Sequence, residues 1–184
     1  MKSGEKLCLA CGLCCDGTLF DNVRLGPGDD ATKLKTLGLP VSSSRAAPPI
    51  VHFPQPCAAL CADRSCRLYA DRPLQCRVYE CGVFKAAHAG RITFAAALRL
   101  VKRARRQADQ VRRLLRELGD FEDHRSLSER FRRTQRRLES GRADGAAADT
   151  FAELSQAVHR LFLLMHERFY TKADPGPATG KIPG

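Results

Sequence analysis

No apolar run in this 184-residue chain approaches the ~20 residues that would span a bilayer. Nor is there an apolar stretch behind Met1-Lys2-Ser3-Gly4-Glu5-Lys6, so the N-terminus does not read as a secretory signal. The expected compartment is the cytoplasm, with no membrane partner, and there thiols stay reduced. A Gly-rich phosphate loop, a nucleophile-elbow serine and an H-E-x-x-H helix are all missing. That excludes the familiar nucleotide-binding and hydrolase signatures. Tryptophan is absent too, which leaves little for stacking on nucleic-acid bases. Residues 91–172 contain neither cysteine nor proline.

What the second half lacks, the first half holds. All 9 cysteines lie between Cys8 and Cys81, with 7 of the 10 prolines in residues 1–85. Cys8, Cys11, Cys14 and Cys15 fall within eight residues, and Cys57, Cys61, Cys66, Cys76 and Cys81 follow. A disulfide framework fits poorly. The count is odd, and bridging the neighbours Cys14 and Cys15 would strain the peptide. Thiolate ligation of a metal fits better. A C-x-x-C spacing brings two sulfurs to one ion across a tight turn, and Gly12 and Gly17 supply backbone freedom for such turns. Cys8, Cys11 and Cys14 also have the spacing of loops that hold a [4Fe–4S] cluster.

Charge divides along the same line. Residues 1–85 carry 11 Lys and Arg against 8 Asp and Glu, while residues 99–142 carry 15 against 7. Because ligating thiols bind as thiolates, a metallated first half is near neutral or acidic. The helical half is the basic one. Its runs Lys102-Arg103-Ala104-Arg105-Arg106, Arg112-Arg113-Arg116 and Arg130-Arg132-Arg133-Arg136-Arg137 read first as a solvated helix face. The alternative is a surface for an anionic partner, either nucleic acid or an acidic protein.

Periodicity gives the architecture. Phe94, Leu98, Val101, Ala104, Ala108, Val111, Leu115 and Leu118 step by three or four residues and predict a long amphipathic helix, ended at Gly119. Ser126 or Ser128 caps a second helix with Leu127, Phe131, Thr134 and Leu138 on one side. Gly141 and Gly145 bracket a connection. Phe151, Leu154, Val158, Leu161, Phe162, Met165 and Phe169 mark a third helix. In the first half, Asn22–Leu25 predicts a short strand. Asp29 or Asp30 caps a short helix to about Leu37, stopped by Gly38. Val41 to Pro56 reads as a loop with Ile50–Phe53 extended, and Arg72-Pro73 opens a turn or small helix. The expected fold is mostly α: a small, metal-organised, cysteine-rich domain with little or no sheet, then an amphipathic helical bundle or hairpin. The expected divisions are residues 1–88, the helical extension 89–172, and a disordered tail 173–184. About 85 loop-rich residues bury too little to fold easily alone, so a metal is expected to be a folding partner.

The ordered motifs carry a resemblance. Cys8-x-x-Cys11-x-x-Cys14-Cys15, then Pro56-Cys57, then Cys66-x-x-Tyr69, then Arg72-Pro73-x-x-Cys76-Arg77, then Cys81 resemble the CxxCxxCC family, also called YkgJ-like cysteine-cluster proteins. The likeness covers about residues 8–84. It implies zinc or iron as cofactor, bound by eight cysteines: Cys8, Cys11, Cys14, Cys15, Cys57, Cys66, Cys76 and Cys81. Cys61 is left over as a ninth, expected to be a spectator. Eight thiolates suit two tetrahedral sites, or one [4Fe–4S] cluster and a further site. Arg72 and Arg77 would then donate to sulfurs or nearby carbonyls, and Tyr69 would pack beside the site. The implied function is metal binding. Flagellin lysine N-methylases contain a related region, which makes an iron–sulfur redox or protein-modifying enzyme the alternative. A zinc protein that associates with RNA or DNA through the basic helices is another. Whether the chain is an enzyme is left open by its sequence. His52 and His88 flank the cysteine half and could complete a site, though an exposed loop position is the expectation for both, and His159 and His166 lack inward glutamates at matching spacing.

Overall fold

Local signals set the elements in chain order in a computed structural model that describes residues 3–141 and 145–171. Helix α1 (Ser3–Cys11) carries the first two cysteines, and Gly12 stops it with φ +67°. Strand β1 (Asn22–Arg24) follows. Helix α2 (Ala31–Thr36) is capped by Asp30, whose carboxylate accepts from Lys33 N–H. Strands β2 (Ser42–Ser43) and β3 (Val51–Pro54) come next. The sheet order is β1-β3-β2, all antiparallel, with Val23 opposite Phe53. The expected loop from Val41 to Pro56 thus contains two of the three strands.

Pro73 precedes α3 (Leu74–Val78), where its missing N–H costs nothing. Helix α4 (Gly82–His88) has Cys81 as its N-cap. Helix α5 (Phe94–Glu117) starts at Thr93, whose hydroxyl accepts from Ala96 N–H, and stops before Gly119 at φ +79°. Ser126 caps α6 (Leu127–Ser140) by accepting from Glu129 N–H, in the Ser-x-x-Glu pattern. Helix α7 (Gly145–Leu164) continues into a wider π turn, Met165–Phe169. The fold is mostly α with a small sheet, as the periodicity implied. The expected tail, 173–184, lies outside the described residues.

Two apolar cores result. The larger joins Leu7, Leu13, Leu19 and Val83 to the buried faces of α5 and α7. On α5 that face includes Val101, Ala104, Ala108, Val111 and Leu115 from the predicted stripe, plus Ala97 and Leu114 beside it. Phe94 at the end of the stripe is exposed. Each fully buried Leu or Val contributes ~1.5–3 kcal/mol relative to exposure. The smaller core holds Val23, Leu34, Leu39, Val41, Phe53, Ala59 and Leu68 around the sheet. Among the described residues, no helix is long and apolar enough to cross a membrane.

Polar ties fasten the first half to the helices. Asp21 accepts from Ser126 Oγ at 2.6 Å, from Ser128 Oγ, and from Arg132 at 3.1 Å. Gly17, at φ +76°, passes so near α6 that a Cβ there would stand 3.0 Å from Ser126 Cα. Gly82 packs closer still: a Cβ would meet the Arg168 carbonyl oxygen at 2.5 Å. Tyr170 Oη donates to the Leu19 carbonyl at 3.0 Å.

Candidate metal centre

Cys8 and Cys11 lie one turn apart near the end of α1. Beyond Gly12 the chain turns, with Cys15 N–H and Asp16 N–H both donating to the Gly12 carbonyl at 2.9 Å. The turn carries Cys14 and Cys15. Cys57 N–H then donates to the Cys15 carbonyl at 2.8 Å, which draws the second cysteine group against the first. Cys66 is held by a bridge to Leu60. Cys76 sits on α3, and Cys81 heads α4, its Sγ accepting from Phe84 N–H at 3.4 Å. The tight turn expected around all four N-terminal cysteines is therefore half helix and half turn.

The outcome is a cavity of about 260 Å³ walled by Cys8, Cys11, Cys14, Cys15, Cys57, Cys66, Cys76 and Cys81. Cys61 does not line it. Neither do His52, whose ring meets the Ile50 carbonyl, or His88, which stacks on Phe84. His166 packs between Phe162 and Tyr170, away from the cavity. Among the described residues, no three Cys, His, Asp or Glu side chains stand close enough together to hold an ion as they are placed. The thiols share one cavity without converging on one point.

Burial sets the chemistry of these thiols. It pushes Cys11 and Cys76 up to about 12, and Cys8 and Cys57 up to about 11, from 9.0. Cys8 is exposed as a residue, yet its sulfur is crowded by protein and by Cys81. Cys66 is raised for the same first reason. Backbone N–H groups two residues on, at Leu13, Ala59 and Leu68, oppose the rise at Cys11, Cys57 and Cys66. Such donors favour the thiolate, the form that binds metal. Cys14 and Cys15 hydrogen-bond, Sγ to Sγ, at 3.6 Å. That bond holds the proton on buried Cys14 and lowers Cys15. A cavity of buried thiols is costly to charge unless a cation enters with the charge. The donor set therefore fits a thiophilic metal.

Arg72 is the cation the sequence motif anticipated. Its guanidinium lies 3.6 Å over the Tyr69 ring and donates to the carbonyls of Tyr69 at 3.0 Å and Cys76 at 3.5 Å. Its charge lowers Cys8, Cys15, Cys66 and Cys76, though at each of them less than burial raises it. Arg77 borders the cavity but is exposed.

Three residues were not anticipated. Asp16, only 8% exposed, accepts from Arg64 at 3.0 Å and pairs with Arg112 at 3.1 Å. Arg64 also donates to the Cys11 carbonyl at 3.2 Å. Gln55, 2% exposed, walls the cavity with no hydrogen-bond partner for its side-chain oxygen among the described residues. Asp16 is legible only as the acid beside Cys15; Arg64 and Gln55 carry no local signal.

The basic runs are not simply a solvated face. Arg105 donates to the Ala10 carbonyl, Arg112 to Asp16 and Thr18, and Arg132 to Asp21. Arg130 is 2% exposed and bonds Asp120 and Asp123 at 2.7 Å each. Arg116 and Arg133 pair with Asp123 and Glu122. These arginines serve the protein's own acids and carbonyls.

Residues 7–95 match the CxxCxxCC family, described as a "putative zinc- or iron-chelating domain". The match spans every cysteine and ends at the start of α5. No curated protein and no solved structure matches the chain.

Proposed function

With residues 7–95 a CxxCxxCC domain, we propose that the protein binds zinc or iron through Cys8, Cys11, Cys14, Cys15, Cys57, Cys66, Cys76 and Cys81. One observation carries the reading: these eight thiols wall a single cavity, and the ninth, Cys61, does not. Arg72 offsets part of the thiolate charge from beside the cavity. The N–H donors at Leu13, Ala59 and Leu68 hold three of the sulfurs ready for ligation. A bound ion would supply the cross-link between segments that the small core provides only weakly. In this reading residues 1–88 form the metal-organised unit and 89–172 its helical support. Bound structural zinc contributes on the order of 10–16 kcal/mol of apparent binding energy, more than the net stability of a typical domain.

The test is anaerobic purification followed by metal analysis and an absorption spectrum. A colourless protein holding zinc, or a brown one with a broad band near ~400 nm and about four irons per cluster, supports the reading. Protein that retains no metal, and whose eight thiols alkylate as fast folded as unfolded, removes it.

A further inference from the structure

The eight cysteines divide between the two apolar cores. Cys11, Cys14 and Cys81 pack against the larger core. Cys57, Cys66 and Cys76 pack against the smaller one around the sheet. Cys8 and Cys15 complete the sets. Cys8 precedes Cys11 by one turn of α1, and Cys81 is the thiol that weighs most on it. Cys15 is bonded through its carbonyl to Cys57 N–H at 2.8 Å. The two groups meet where the Cys15 sulfur lies 3.6 Å from that of Cys14.

We propose that on loading the thiols of the cavity converge into two metal sites that meet at the Cys14–Cys15 pair. One is made by Cys8, Cys11, Cys14 and Cys81, the other by Cys15, Cys57, Cys66 and Cys76. The proposal rests on the metal-binding reading above and specifies which thiols share an ion. Four thiolates each close a tetrahedral site with no open position, the pattern of structural rather than catalytic zinc. The first site cross-links α1 to α4, and both helices pack on α5. The second cross-links the Cys15 turn, the loop after β3, and α3. Cys14 and Cys15 are neighbours in the chain, so the peptide between them couples the sites: ordering one fixes half the approach to the other. Two ions with eight thiolates leave a net charge of −4, and Arg72 stands where its field reaches both sets.

Cadmium-113 loading of the reduced, metal-free full chain tests this on unmodified protein. The expected result is two bound equivalents and two resonances at the shift of four-sulfur cadmium. Cys81→Ser should then perturb or remove one resonance, and Cys76→Ser the other, each variant still binding one equivalent. A single equivalent in the wild type overturns the partition. So does a [4Fe–4S] cluster on four cysteines with the rest open to alkylation, although metal binding itself then stands. Absence of any bound metal defeats both readings. If a serine variant fails to fold, the wild-type count and resonance number still decide.

Discussion

Asp16 Oδ2 stands 3.1 Å from Arg112 Nη2, joining the residue after Cys15 to the C-terminal part of α5. Arg112 also donates to the Asp16 carbonyl at 3.3 Å and Thr18 Oγ1 at 3.1 Å. One arginine thus fixes the exit of the cysteine turn at three points.

Replacing Arg112 with Ala leaves buried Asp16 with one arginine, Arg64, besides the Thr18 N–H that donates to it. The expected loss is about 2–3 kcal/mol in urea unfolding, since a charged group stripped of partners keeps its desolvation cost. Lys at this position should recover part of the loss, because it restores charge without the fork. A change below ~0.5 kcal/mol in Arg112→Ala would show that Arg64 suffices.

Arg130 is expected to be the costliest arginine to remove. Its Nε and Nη2 serve the Asp120 carboxylate and carbonyl, and Nη1 serves Asp123, all from a buried position. Burial works against the charge on Asp123, but Arg116 and Arg130 outweigh it and hold its carboxyl below the usual range. Arg130→Ala should cost about 3–5 kcal/mol, and the double variant with Asp120→Ala less than the sum of the singles. Strict additivity in that cycle would refute the pairing.

The two motif arginines should behave differently. Arg72→Gln removes the charge beside the thiols and is expected to weaken zinc affinity ~10-fold or more in competition with a chelator. Arg77→Gln, at an exposed position, should leave affinity within about twofold. Equal effects would mean that the cavity senses general charge rather than the placed guanidinium.

Thiols that hold their protons more tightly folded than unfolded make the metal-free protein sensitive to alkali. Below 9.0 both states keep the protons and burial costs nothing. As pH rises from 9.0 through about 11 to 12, the unfolded thiols ionise first and the metal-free fold loses stability. Metal reverses the sign, because a bound ion displaces the protons and tightens as pH rises. Unfolding midpoints at pH 7 and pH 10 should fall for metal-free protein and hold or rise for loaded protein. Parallel behaviour of the two forms contradicts this account.

The helices were legible because their signals are local. The stripe from Val101 to Leu115, the Ser126 cap with Glu129, and the Asp30 cap all act within a turn or a few turns. Helix α1 was not, because the glycine stop lies after Cys11 and the cysteine spacing suits a turn equally well. The division of the cysteines between two cores is a tertiary fact, set by which wall each loop meets. The arginines misled for a related reason. A run of like charge reads as solvated, yet Arg112 finds Asp16 96 residues away and Arg132 finds Asp21 111 residues away. Arg130 lies three residues after Leu127 on the buried side of α6, so its burial follows the helical period once charge is set aside.

The docking of Met165–Tyr170 on α4 and on Leu19 has a consequence for biosynthesis. The cysteines leave the ribosome well before the segment that seats behind Gly82. Roughly 90 residues separate Cys81 from Tyr170, which at ~5–20 residues per second amounts to about 5–20 s of translation. During that interval the nascent chain presents all nine thiols before its C-terminal brace exists. On the metal-binding reading proposed above, metal capture and thiol damage compete in that window, and supply of the ion during synthesis is expected to bear on the yield of correctly assembled chains.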